Sequence, residues 1–117
     1  MQGETYSIFH CSIEPGNFPA LEKLAGELVE KSNLEPDTLT YEFVVNAART
    51  EVHIIERYRG DGFIPHARIT FAPYAKLFLE LVKVEKLFVY GDPSPDAKKM
   101  LDGFGAIYFE SLAGFTR

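Results

Sequence analysis

Tryptophan is absent, cysteine occurs once, and no apolar run approaches the ~20 residues that a membrane-spanning helix requires. The lone Cys11 excludes an intrachain disulfide and fits a reducing compartment. Positive charge is also scarce. Twelve Lys and Arg stand against seventeen Asp and Glu, giving a net charge of −5, and no basic run is longer than Lys98-Lys99. That balance repels nucleic-acid phosphates and anionic lipid, so neither nucleic acid nor a membrane is expected as a partner. Residues 1–11 hold no basic region followed by an apolar stretch, so no signal peptide is expected, and a cytoplasmic location is the default. A Gly-rich phosphate loop and a Ser nucleophile elbow are missing as well.

What is present is a chain of 117 residues, 46% hydrophobic, with its apolar residues spread evenly. That length suits one domain, residues 1–117, which buries roughly two-thirds of its unfolded surface. Tyr6 to Ile13 reads as a strand closed by Glu14-Pro15-Gly16. A helix over 17–32 follows, with Asn17 as its expected cap and Phe18, Leu21, Leu24, Ala25, Leu28 and Val29 as its apolar stripe. Thr38 to Val45 and Glu51 to Tyr58 alternate as two strands around a turn at 46–49. A symmetric hairpin would pair Tyr41 with Ile54, Phe43 with Val52 and Glu42 with His53. Gly60-Asp61-Gly62 breaks the second strand. Phe63 to Arg68 then forms a helical turn, and Thr70 is the expected cap of a helix buried through Phe71, Tyr74, Leu77, Phe78 and Leu81. A strand at Val84 to Tyr90, a helix opened by Ser94-Pro95 and a strand-like run from Ala106 to Ser111 complete the chain.

The order β-α-β-β-α-β predicts an α+β fold of ferredoxin-like type, an antiparallel sheet with two helices on one face, extended by a C-terminal helix and strand. The other sheet face carries His10, Val44, His53 and Ile55 among charges, which is too apolar to stand in water. Pairing of two such faces would cover it, so a twofold homodimer is expected.

Three segments taken together, Glu35 to Phe43 (EPDTLTYEF), Ile54 to Tyr58 (IIERY) and Phe63 to Phe71 (FIPHARITF), resemble the antibiotic-biosynthesis-monooxygenase (ABM) domain family of dimeric α+β barrels. The likeness covers about residues 5–90. Residues 92–117 exceed the usual domain, and Asp37 stands where the family commonly has glycine. The resemblance implies a homodimer joined through its sheet faces, with a pocket between sheet and helices in each subunit. It also implies cofactor-free oxygenation of a small aromatic or quinol-type molecule. Haem-degrading members use an Asn, a Trp and an axial His, where this chain has Phe9, His66 and Lys76, so haem is not expected.

Glu56 falls on the strand face that should meet the helices, where a carboxylate must find a partner or shift its pKa upward. It could accept bonds from backbone N–H groups of the Gly60–Phe63 loop, or it could serve a pocket. His66 stands where the family keeps a histidine, and a neutral imidazole there could take a phenolic proton. The plainer alternative is a helix-end histidine bonded to nearby backbone. Phe9, Tyr41, Tyr58, Phe71 and Tyr74 could line an aromatic cavity or simply fill the core. His10 and His53 with Glu42 nearby have the makings of a zinc site, but no close-spaced motif supports one. Polar contacts in a dimer face are the preferred reading, and no metal or cofactor is expected. The leading expectation is therefore a monooxygenase with His66 as base. The other reading is a non-catalytic dimeric barrel that binds a small ligand or assists a pathway enzyme. The terminal strand is expected to support the dimer, so deleting residues 103–117 should lower the mass seen in solution by light scattering.

Overall fold

The computed structural model describes residues 3–117. Strand β1 (Glu4–Ile13) leads through a tight turn at Pro15–Asn17 into helix α1 (Phe18–Ser32). Strands β2 (Thr38–Val45) and β3 (Glu51–Arg59) form the hairpin. An irregular helical run follows: α2 (Phe63–Pro65), a wide π-type turn over His66–Phe71, a tight turn over Ala72–Tyr74, and α3 (Ala75–Leu81). Strand β4 (Val82–Tyr90), helix α4 (Pro95–Asp102) and the short strand β5 (Ile107–Phe109) finish the chain.

The sheet has five strands in the order β2-β3-β1-β4-β5. Its first four are antiparallel, in the ferredoxin-like arrangement, and β5 adds parallel to β4. Strict alternation on β1 and β3 decides which face the helices take. Phe9, Cys11 and Ile13 of β1 and Val52, Ile54 and Tyr58 of β3 are buried against Leu21, Leu24 and Leu28 of α1 and Phe78 of α3. Helix α4 joins the same core through Ala97 and Leu101, with the Ser94 hydroxyl accepting from the Ala97 N–H at 3.2 Å as its cap. No helix among the described residues is long and apolar enough to cross a membrane.

Several local expectations are corrected. Tyr41 lies opposite Glu56, Phe43 opposite Ile54 and Glu42 opposite Ile55, so the register differs by two residues from the symmetric hairpin. The cause is a longer loop. The Asn46 side chain accepts from the N–H groups of Thr50 and Glu51, and Arg49 takes the left-handed conformation at φ 60°. A two-residue shift keeps each side chain on its expected face, which is why the alternation survives. Asn17 does not cap α1; its amide donates to the Leu81 carbonyl at 3.3 Å. Thr70 caps nothing either, because no helix starts there. Pro73 has no N–H to give to the preceding turn, so the run widens before it and tightens around it. The resulting change of phase leaves Leu77 46% exposed rather than in the core. The sheet face away from the helices presents half-buried Tyr6, Ile8, His10, Ile55, Phe88 and Tyr90.

Leu28 is fully buried at the centre of the helix–sheet contact. Leu28→Ala should cost about 2–5 kcal/mol of unfolding free energy, measured from the urea midpoint at unchanged slope.

Candidate functional site

Under the junction of α1, β2 and the wide helical turn lies a buried polar cluster. Glu35, in the loop that leaves α1, is its hub. One carboxylate oxygen accepts from the Thr38 hydroxyl at 2.7 Å and lies 3.0 Å from His66 Nδ1, and the other accepts from the Thr70 hydroxyl. Ser32, in the last turn of α1, brings its hydroxyl to 3.4 Å from the same Nδ1. A proton on Nδ1 satisfies Glu35, so neutral His66 is assigned the tautomer that leaves Nε2 as the basic nitrogen. Among the described residues no hydrogen bond engages that nitrogen. His66 is 3% exposed, and burial lowers its pKa against the opposing pull of Glu35. The imidazole is thus neutral at physiological pH.

The second acid is set differently. Glu56 is buried on β3 and accepts a hydrogen bond from the Tyr58 hydroxyl, two residues along the same strand face. Burial pushes its pKa up to about 8, with the Tyr58 hydrogen bond opposing and the nearby charge of Glu35 adding to the rise. No loop N–H reaches it, so the expected bonding to Gly60–Phe63 is not what holds it. Glu56 is therefore mostly a neutral acid at pH 7. Burial likewise raises the hydroxyl pKa of both Tyr41 and Tyr58, with Glu56 adding to each shift.

Aromatic rings enclose these groups. Tyr41 packs against His66 with ring centroids 4.8 Å apart, Tyr58 at 5.7 Å and Phe71 at 6.4 Å. A cavity of only about 30 Å³ lies beside His66 and Glu56, lined also by Phe9, Phe71, Phe78 and Phe104. That leaves room for a water molecule or two. Phe104, from the turn after α4, meets Phe9 edge-on at 5.4 Å, so the C-terminal extension closes the cavity. Deleting 103–117 would therefore also open the core. A cut after Phe109 tests the tail alone.

A wider space lies on the other side of Tyr41. It is an apolar groove of about 380 Å³ between α1 (Phe18, Leu21, Ala25, Val29) and the inward face of β2 (Tyr41, Phe43). Its size falls in the range of small-molecule pockets. Strand β2 is an edge of the sheet, so it has a strand neighbour on one side only.

Of the residues read from the sequence, Phe9, Tyr41, Glu56, Tyr58, His66 and Phe71 come together. Tyr74 does not: it faces the end of α1, where the Lys31 ammonium sits 4.9 Å from its ring centroid. Glu42 does not pair with His53, whose ring instead meets Glu51 at 2.9 Å. Glu35, Ser32, Thr70 and Phe104 were not anticipated as site residues. Glu35 stood inside the EPDTLTYEF segment as part of a turn, with no periodicity to mark it as inward-facing.

The chain has the fold of antibiotic biosynthesis monooxygenases. MupZ from Pseudomonas fluorescens superposes with a TM-score of 0.82 at 23% identity, over 97% of this chain and 94% of that one. A crystal structure named as an antibiotic biosynthesis monooxygenase matches with a TM-score of 0.66 at 22% identity, over 78% and 99%. Rv0793 from Mycobacterium tuberculosis gives 0.67 at 19%, over 78% and 96%. Neither a protein-family model nor a curated protein sequence matches the chain. The match to MupZ extends through nearly the whole chain, whereas the other two leave about a fifth of it uncovered.

The raised pKa of Glu56 has a consequence for stability. The folded state holds this proton between the ordinary carboxylate pKa and about 8, whereas the unfolded state has released it. The contribution is therefore fully present below the ordinary carboxylate range and is lost as pH rises towards 8. Glu56→Gln has no proton to lose. Relative to wild type it should gain stability, on the order of a few kcal/mol, between pH 4.5 and pH 8 in urea titrations.

Proposed function

We propose that the chain is a cofactor-independent monooxygenase acting on a small aromatic or quinol-type molecule. The observation that carries this reading is the buried Glu35–His66 pair, with a free basic nitrogen, beside a carboxyl that stays protonated. A flat apolar substrate lies in the groove between α1 and β2. Rotation of the Tyr41 ring, which lines the groove and packs on the His66 imidazole, opens the way to His66. Nε2 then takes the phenolic proton, and Glu35 stabilises the imidazolium through Nδ1–H. The resulting anion is electron-rich enough to reduce O₂ directly. An activated CH₂ of the substrate becomes C=O, and the second oxygen atom leaves as water. The Glu56 carboxyl, oriented by the hydrogen bond it accepts from the Tyr58 hydroxyl, supplies a proton for a hydrogen bond to the developing oxyanion. The names of fold neighbours support the same class without defining a substrate.

The working unit in this reading is a homodimer. Tyr6, Ile8, Ile55, Phe88 and Tyr90 lie half-exposed on one sheet face, and Phe109 beside them is 49% exposed. Apolar surface of that kind is covered when two faces meet. The tail beyond β5, with Leu112 and Phe115 in the open, would extend over the partner subunit.

A second reading, a non-catalytic barrel that binds a small ligand, is favoured by one feature. The space beside His66 is water-sized, whereas the larger groove is apolar and lies beyond Tyr41.

Oxygen uptake with a panel of hydroquinones and anthrones separates the two. The enzyme consumes O₂ with an accepted compound, and His66→Ala, still folded by circular dichroism, lowers kcat by about 10²–10⁴-fold. Ligand-induced thermal stabilisation with no uptake from any compound would instead identify the binder.

A further inference from the structure

On the opposite side of the sheet from His66, the strands assemble a second constellation that the proposed chemistry does not use. His10 of β1 and His53 of β3 are directly opposed across the antiparallel ladder. Their rings stack with centroids 3.9 Å apart and planes within 14°. Glu51 lies two residues from His53, and strand periodicity puts it on the same face, with its carboxylate 2.9 Å from His53 Nε2. One ligand atom from each of the three can be chosen so that all lie within 4.8 Å of one another.

We propose that His10, His53 and Glu51 form a binding site for a divalent transition-metal ion of the zinc class. Zinc bound at roughly 2.0–2.1 Å to nitrogen and oxygen in a tetrahedron holds its ligand atoms about 3.3 Å apart. The separations here bracket that value, so small side-chain rotations close the site while the backbone stays in place. Two imidazoles and one carboxylate form a donor set that zinc accepts, and it leaves the fourth position open. All three ligands stand on neighbouring strands of one sheet, the most rigid support this fold offers.

The surroundings are compatible. His10 and His53 are each partly shielded, and burial, then His53 itself, lowers the His10 pKa, which favours the neutral form that binds metal. Phe88 meets the His10 ring edge-on at 5.0 Å and limits its movement. Lys86, opposite His10 on β4, opposes a cation, and the Glu51 carboxylate offsets it. Glu85 is engaged by the Ser12 hydroxyl at 2.8 Å. Glu42, the carboxylate that the sequence suggested, lies opposite Ile55 and is not part of the cluster. The site uses none of the residues assigned to the oxygenase chemistry, and it stands on the face that the proposed homodimer would cover.

The test is isothermal titration of ZnCl₂ into chelator-treated full-length protein, with thermal melts alongside. Saturable binding is expected at one ion per chain, with a melting temperature that rises on zinc addition. Binding and stabilisation should both be lost in His10→Ala and in His53→Ala, and weakened in Glu51→Gln. Far-UV circular dichroism confirms that each variant is folded, and His53→Gln replaces any alanine variant that is not. Glu42→Gln should bind as wild type. Absence of saturable binding, or binding that survives loss of either histidine in a folded variant, overturns the site. So does a loss caused by Glu42→Gln.

Discussion

The polar cluster beside the wide helical turn is organised around the Glu35 carboxylate. A carboxylate this enclosed is costly to remove from water unless its lone pairs are filled. Here they are filled from elements far apart in sequence: Thr38 at the start of β2, and His66 and Thr70 on the wide helical turn. The same bonds therefore tie the end of α1 to the second helical layer. They also fix the imidazole tautomer, because Nδ1 is committed to Glu35. Folding and proton chemistry share one constraint.

The two acids, Glu35 part-buried and Glu56 buried, differ because their partners differ. Glu35 collects three donors, whereas Glu56 has a single tyrosine hydroxyl, no cation and the field of Glu35 nearby. Neutralisation is the cheaper solution for such a group. The arrangement yields an acceptor nitrogen and a protonated carboxyl around one small cavity at the same pH, the pairing that general acid–base chemistry needs. Neither group requires an ion for this. The apolar walls, Phe9, Phe71, Phe78 and Phe104, maintain the difference by keeping bulk water out.

Much of the frame was legible in the sequence because period-2 alternation survives errors of detail. The hairpin register differs by two residues, yet Val52, Ile54, Glu56 and Tyr58 still face the helices, since an even shift preserves the face. Glu56 and His66 could be found because one interrupts an apolar strand face and the other sits in a resembling motif. Glu35 could not: a loop residue has no periodicity, and its inward direction depends on a helical turn that begins over thirty residues later. Tyr74 lies apart from the cluster for a related reason. Regular 3.6-residue spacing assumes an unbroken helix, and Pro73 changes the phase of the run just before Tyr74, leaving that ring under Lys31. Phe104 was invisible because the aromatic's contact with Phe9 is set by where α4 docks.

The groove beside β2 follows from the same geometry that makes the core stable. Leu21, Leu24 and Leu28 seat α1 in the core, where each is almost wholly buried. The inward side chains of β2 are only half-buried although they belong to the apolar face. An apolar hollow bordered by Tyr41 thus lies beside a well-packed centre, and Tyr41 touches both the hollow and the histidine. In the proposed reaction, access and proton transfer would meet at that ring, so its rotamer is where packing would control chemistry.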